Sequence, residues 1–359
     1  MNPNFWRDRK VFITGHTGFK GSWLSLWLQR LSAQVVGYSL PPPTDPSLFE
    51  VADVASGMVS ITGDVRDYDH LRECLAEHEP EIIFHLAAQS VVRESYEQPI
   101  ETYSTNVMGT VNLLEATRQL PGRTVLVNVT SDKCYENREW IWGYRESDRL
   151  GGHDPYSNSK ACAELVTQSF RDSFFAATAA EARGKLIATA RAGNVIGGGD
   201  WTRDQLIPDT MTAFHEGRSV VLRNPQAVRP WQFVLDCLGG YMTLAEKLSL
   251  EGDDYTGAWN FGPRLEDTLP VQRIVERLIE QWPGEASWSL DERSHPHEAG
   301  CLRLDTSNTA LRLGWTPRLA LTESLDWITD WYGRYFQGAN PQALCREQID
   351  RFQEKKPCR

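Results

Sequence analysis

The chain has 359 residues, 41% of them hydrophobic and 24% charged, with a formal net charge of −11 at pH 7. That length suffices for one large domain or two ordinary ones with a sizeable core, and the acidic balance argues against binding to nucleic acid or to an anionic membrane surface. No basic start precedes an apolar run and no segment approaches the ~20 apolar residues needed to span a bilayer, so a cytoplasmic protein is expected.

In chain order, Lys10–Thr14 reads as a short buried strand, followed at once by Gly15, His16, Thr17, Gly18, Phe19, Lys20 and Gly21 and then by an apolar helical stretch. Strand, glycine turn and helix form the context of a dinucleotide-binding fingerprint. Gly15 would allow the tight turn, Gly18 the approach of backbone to a pyrophosphate and Gly21 close helix packing, with the phosphates on the helix N-terminus. Further strands are expected at 34–38, Val59–Thr62, 81–86, Thr124–Val129 and 186–190, with helices at 68–77, 100–119 and 156–175 between them. This alternation predicts a Rossmann-type, doubly wound parallel sheet covered on both faces. Beyond Arg191 the texture changes. A flexible glycine loop at 197–201 leads into a helix over Leu206–His215, a strand over Val220–Leu222, and helices at 236–248, Val271–Gln281 and 321–332. The organisation expected is a dinucleotide-binding domain over 1–191, a smaller mixed α/β substrate-binding domain over 192–340 with some segments returning to the first, and a polar, fraying tail over 341–359.

The chemistry concentrates between 125 and 160. Ser131, Asp132 and Lys133 follow the fifth strand at its carboxyl end, where an open α/β sheet binds its ligand. Asp154 is placed to cap the next helix and Pro155 suits its first position, so Tyr156 and Lys160, four apart, share one helix face. The acidic residue that normally binds the adenosine ribose is absent near Tyr38 and Ser39, which leaves NAD against NADP open. Asp64 either accepts from the adenine amino group or caps the helix at Tyr68. Leu86, Ala87 and Ala88 offer small side chains for a dinucleotide to lie against. Seven cysteines, an odd number with no C-x-x-C, argue against a disulfide framework or a zinc site. His295, His297 and Glu298 are read as a solvated turn, with no metal.

Taken together, Thr14 with Gly15, Gly18 and Gly21, then Leu86-Ala87-Ala88, then Tyr156 and Lys160 resemble the extended short-chain dehydrogenase/reductase family over nearly the whole chain. Ser131-Asp132-Lys133 narrows the resemblance to the nucleotide-sugar 4,6-dehydratases, whose usual triplet has Glu in the third place. Lysine there, with the run from Arg191 to Trp201 and with Arg223-Asn224-Pro225 and Arg229-Pro230-Trp231, is similar to the branch acting on CDP-glucose. The resemblance implies a tightly bound NAD regenerated at each turnover, a CDP-glucose-type substrate and a homodimer or homotetramer.

It also implies roles. Tyr156 as phenolate would take the C4 hydroxyl proton, Lys160 would lower its pKa and bind the nicotinamide ribose, and Ser131 would hydrogen-bond the C4 oxygen. Poising a tyrosine at pH 7 takes about 4 kcal/mol. Asp132 would protonate the departing C6 hydroxyl if burial raises its pKa. Lys133 would take the C5 proton if neutral, or stabilise the enolate if charged. Asn194 would contact the substrate, Arg229, with Arg223 and Arg303, would grip the diphosphate, and Gln89 and Ser90 would line the sugar pocket. A 4-epimerase or a reductase on the same scaffold is the alternative, which Asp132 disfavours. A catalytically silent nucleotide-binding relative is disfavoured by the presence of Ser131, Tyr156 and Lys160.

Overall fold

The computed structural model describes residues 2–175, 184–293 and 300–356. Its strands in chain order are β1 Lys10–Thr14, β2 Gln34–Ser39, β3 Val59–Thr62, β4 Ile82–His85, β5 Thr124–Val129, β6 Lys185–Ala192, β7 Asn194–Ile196, β8 Val220–Leu222, β9 Val228–Phe233, β10 Gly257–Phe261, β11 Thr268–Pro270 and β12 Trp288–Leu290. Seven of them form one parallel sheet in the order β3-β2-β1-β4-β5-β6-β10. Strand order reverses between β1 and β4, so the crevice at their carboxyl ends is the topological switch point of a doubly wound fold. The Rossmann-type sheet is therefore as expected.

Period-two alternation in the strands builds two cores from one sheet. Val11, Ile13, Phe84 and Val127 face the larger cluster, while Phe12, Ile83, Leu126 and Ile187 face the smaller one. Both β5 and β6 are buried at every position because helices cover each face. Truncating one such aliphatic side chain to alanine typically costs ~2–5 kcal/mol.

Several elements differ from expectation. The sheet's seventh strand, β10, lies far beyond residue 191, because Gly257–Phe261 pairs with 188–192 of β6. The expected helix at 100–119 is Pro99–Tyr103 and Gly109–Gln119 joined by a π turn at Ser104–Met108, and the helix Pro155–Phe170 likewise ends in a π turn at Arg171–Phe175. The helix expected at 236–248 runs over Val234–Glu251. The glycine loop at 197–200 is buried, packed under Trp331 and Tyr332, with the Tyr332 hydroxyl donating to the Asp200 carbonyl at 2.5 Å. The supposed tail is a helix, Pro341–Glu354. It buries Leu344, Cys345, Ile349 and Phe352, and Phe352 meets Trp27 edge to face with ring centres 5.5 Å apart. Polar composition masked a single buried stripe. His295, His297 and Glu298 lie outside the described residues.

Smaller sheets, β11-β9-β7 and β12-β8, with the helices Leu206–His215, Val271–Gln281 and Leu321–Phe336, form a mixed α/β layer across the carboxyl edge of the large sheet. The site lies between the two.

Candidate active site

β5 ends at Val129 and the chain turns through a short 3-10 segment, Asp132–Cys134, capped by Ser131, whose Oγ accepts from the Lys133 amide at 3.2 Å. On the facing helix, Asp154 accepts from the Ser157 amide at 2.8 Å with Pro155 in the first position. This start, as expected, aims Tyr156 and Lys160 at the strand end. The Lys160 ammonium donates to the Val129 carbonyl at 3.2 Å, and the Lys133 ammonium stands 5.9 Å from the Tyr156 ring centre. Ser131 hydrogen-bonds Tyr156 and also donates to Asp132 at 3.1 Å.

Electrostatics follow burial. Asp132 is 2% exposed with Oδ2 unpartnered among the described residues, and desolvation pushes its carboxyl up against the opposing pull of Lys133, Ser131 and Arg229. Lys160 is pushed down to about 7 by desolvation and by Lys20. Tyr156 departs from the simple expectation. Burial pushes its phenol above the ordinary range, Ser131 pulls it down, and Asp132 and Asp154 push it further up. The residues around it thus hold it as a phenol rather than a phenolate. Cys134, beside Lys133, is fully buried with its thiol pushed well up, an inert packing residue.

Behind this surface a buried network fixes the strand ends. Glu164 accepts from Arg191 at 2.7 Å, from Thr189 at 2.8 Å and from Thr130 at 2.5 Å, and Arg191 donates on to Tyr135, which donates to Asn260. A second chain, Thr14 to His85 at 2.7 Å and His85 to Thr110 at 3.2 Å, ties β1 to β4.

Two connected cavities meet here. The larger, about 1310 Å³, runs along the switch point past Gly15, Thr17, Gly18, Gly21, Asp64, Leu86, Ala87, Ala88, Gln89, Ser90, Ser131, Asp132, Lys133, Tyr156 and Lys160. The smaller, about 780 Å³, is walled by Asn194, Arg223, Arg229 and segments of the C-terminal layer, and it shares Lys133 and Asn194 with the first. Gly15 has φ +77°, and a Cβ there would meet the Ala87 amide nitrogen at 2.6 Å. Glycine is thus required by the fold itself. A Cβ on Gly18 would meet only an ordinary contact, the Gly15 carbonyl at 3.5 Å, so the open space there faces the cavity, as a pyrophosphate cradle needs. The donor set and this cradle fit a dinucleotide.

Other expected site residues are differently placed. Asp64 does not cap the helix Tyr68–His78. Asp67 does, accepting from the His70 amide at 3.2 Å, because it sits directly before the first turn, while Asp64 ion-pairs with Arg66 at 2.6 Å. Arg303 lines neither cavity and donates to the Ile141 carbonyl at 3.2 Å. Arg223 lines the smaller cavity and pairs with Asp204 at 2.7 Å, which also holds Arg93 at 3.0 Å. Sequence reasoning missed three positioning features. A Cβ on Gly193 would meet Asp132 Oδ2 at 2.7 Å, Ser95 Oγ accepts from the Tyr156 amide at 3.2 Å, and Lys20 lies in the cofactor cavity with its field on Lys160. Gly193 and Lys20 lay inside runs already singled out, whereas Ser95 carried no sequence signal.

The family model described as GDP-mannose 4,6 dehydratase matches residues 12–327. A CDP-glucose 4,6-dehydratase of Salmonella typhimurium is 53% identical over 352 residues, covering 98% of each chain. A dTDP-glucose 4,6-dehydratase of Xanthomonas campestris is 25% identical over 342 residues, covering 89% of this chain and 92% of that one. Among solved structures, a dTDP-glucose 4,6-dehydratase of Bacillus anthracis in complex with NAD is similar with a TM-score of 0.74 at 20% identity, covering 93% of this chain and 99% of that one. At that identity the last likeness speaks for the fold.

Proposed function

The chain belongs to the GDP-mannose 4,6 dehydratase family, and from that premise we propose that it converts CDP-D-glucose to CDP-4-dehydro-6-deoxy-D-glucose and water. The observation that carries this reading is the meeting of a buried Asp132 with Tyr156 and Lys160 at the junction of a dinucleotide-sized cavity and a second cavity. The Salmonella relative supports the CDP-glucose assignment.

Losing water across C5 and C6 of glucose is hard because the C5 proton is not acidic, and a ketone at C4 makes it so. NAD would supply, when bound, a hydride acceptor that later returns the hydride, with no net redox, and a positive charge. Tyr156 takes the C4 hydroxyl proton, with Ser131 holding the C4 oxygen. Lys160 would hold the nicotinamide ribose and, as a cation, draws the phenol toward ionisation. Asp132, protonated through its desolvation, gives its proton to the departing C6 hydroxyl. Lys133, at the wall shared by the two cavities, is the group assigned to the C5 proton step. As a neutral amine it takes the C5 proton and returns one to C5 when hydride reaches C6; as a cation it stabilises the enolate, and another group or a water takes and returns the proton. Asn194 contacts the sugar, and Arg229 with Arg223 balances the diphosphate.

We also propose a homodimer or homotetramer and a cytoplasmic location. Among the described residues no helix is long and apolar enough to cross a membrane. Incubating the protein with CDP-glucose and no added cofactor should yield a 4-keto sugar that absorbs in strong base. The variant carrying Asp132→Asn and Tyr156→Phe should lose at least about 10³-fold in kcat, since each removes a proton-transfer group worth roughly 10²–10⁴. Full activity in that variant would sink the assignment.

A further inference from the structure

The helix Pro155–Phe170 carries more than the redox pair on its inner face. Tyr156, Lys160 and Glu164 follow one another at intervals of four, so a carboxylate stands one turn behind Lys160. Glu164 is 4% exposed, and Arg191, its partner at 2.7 Å, is 3% exposed. A buried ion pair of this kind adds little to stability once desolvation is counted. What it does fix is geometry, because a planar guanidinium presents several donors in set directions.

Arg191 uses those donors in two directions. One nitrogen donates to Glu164, on the helix of Tyr156 and Lys160, and the other donates to the Tyr135 hydroxyl at 2.8 Å and to the Glu146 carbonyl at 3.1 Å. Tyr135 closes the short turn that carries Asp132 and Lys133, and its ring centre lies 4.9 Å from the same guanidinium. Burial pushes its phenol far above the ordinary range. The hydroxyl therefore keeps its hydrogen and donates to Asn260 Oδ1 at 2.7 Å while accepting from Arg191. Asn260 belongs to β10, and its own amide donates to the Tyr144 and Asp305 carbonyls at 2.8 and 3.0 Å. The turn is thus pinned at both ends, by Ser131 on Tyr156 at the near end and by Tyr135 on Arg191 and Asn260 at the far end. Asp132 and Lys133 are the proton-transfer groups between those pins.

We propose that Tyr135 is a positioning residue for the dehydration step, holding the turn that bears Asp132 and Lys133 in register with the helix that bears Tyr156 and Lys160. The inference rests on the dehydratase reading above and deepens it. Its effect falls on the elimination of water and not on C4 oxidation. Tyr156 and Lys160 are fixed by their own capped helix and by Ser131, whereas Asp132 and Lys133 move with the turn.

The test uses the holoenzyme with two variants. Tyr135→Phe removes one oxygen and keeps the backbone bridge between residue 135 and Leu150, and Arg191→Lys keeps a cation for Glu164 but loses the fork. Rapid mixing with CDP-glucose reads the reduction of bound NAD by absorbance, quenching reads which sugar is present, and steady-state rates give kcat and KM. A misplacement of up to about an ångström predicts kcat lowered about tenfold to a hundredfold, with KM and the first reduction of the cofactor each changed by less than about threefold. Reduced cofactor should then build up during turnover, together with a 4-keto hexose that still carries its C6 hydroxyl. Asp132→Asn, slowed at the same step, is the reference for that build-up. Slowing of reduction and elimination by equal factors, as general loosening of the fold would give, overturns the inference. So does an unchanged kcat in Tyr135→Phe, or a rise in KM with kcat intact. Circular dichroism checks the fold of each variant, and either one, when folded, decides the matter, since the two cut the same tie from opposite sides. Failure of the wild type to form the 4-keto-6-deoxy sugar would overturn the dehydratase reading instead.

Discussion

Among single residues, Asp132 illustrates how an acid is kept ready by what is missing around it. Among the described residues its Oδ2 has no partner, and the space it fills exists because residue 193 lacks a side chain, since a Cβ there would meet Oδ2 and the Pro230 ring each at 2.7 Å. The variant Gly193→Ala must move the carboxyl by a fraction of an ångström up to an ångström, and misplacements of that size cost up to about 10²-fold. We therefore expect kcat to fall about tenfold to a hundredfold with KM for the nucleotide sugar changed by less than about threefold, measured by initial rates of keto-sugar formation. A fall in substrate affinity with kcat intact would show that Gly193 serves the pocket and not the acid. The identities of Ser131, Asp132, Lys133, Tyr156 and Lys160 were legible in the sequence because strand, turn and capped helix are local features. The raised phenol of Tyr156 was not, because it arises from burial and from Asp132 and Asp154 acting through space.

At the level of elements, the helix Val234–Glu251 links the catalytic half to the C-terminal helices. Asp236, in its first turn, accepts from the Arg318 amide at 2.6 Å and from the Leu319 amide at 3.2 Å, and Arg318 donates to the carbonyls of Phe352, Gln353 and Lys355 at the end of the last helix. Burial pushes the Asp236 carboxyl up to about 7, against the pull of those two amides. A raised carboxyl takes up a proton on folding, so its contribution is fully present below the ordinary value near 4 and is lost as pH rises to about 7. Asp236→Asn should therefore flatten the decline of the thermal midpoint between pH 4 and 7 and, by unpairing one amide, cost about 1–3 kcal/mol near pH 5. Denaturation followed by circular dichroism across that range checks both, and an unaltered slope would reject the assignment. The C-terminal helix held by this clamp looked like a fraying tail because its apolar residues, Leu344, Ile349 and Phe352, are few and widely spaced.

For the whole molecule, the helices Pro99–Tyr103, Gly109–Gln119 and Pro155–Phe170, with the intervening and following π turns, present Ile100, Met108, Leu165 and Phe174 to solvent, with Ile100 85% exposed and Leu165 54%. An apolar surface of this kind suits a self-complementary contact, and it is the face for the proposed dimer. Light scattering at micromolar concentration should give at least twice the chain mass, and Ile100→Glu with Leu165→Glu should reduce it to one chain. A monomeric mass for the wild type would refute the dimer. By itself the sequence determined the sheet-forming strands up to β6, the glycine turn, the helix carrying Tyr156 and Lys160, and the chemistry those residues can do, because hydrophobic period and capping act over a few neighbouring residues. Tertiary structure alone decided that β10 completes the sheet, that Asp67 rather than Asp64 caps its helix, that Arg303 lines neither cavity, and which carboxyls are desolvated. Those outcomes depend on distances between residues remote in the chain, and desolvation energies follow from such distances and not from the order of residues.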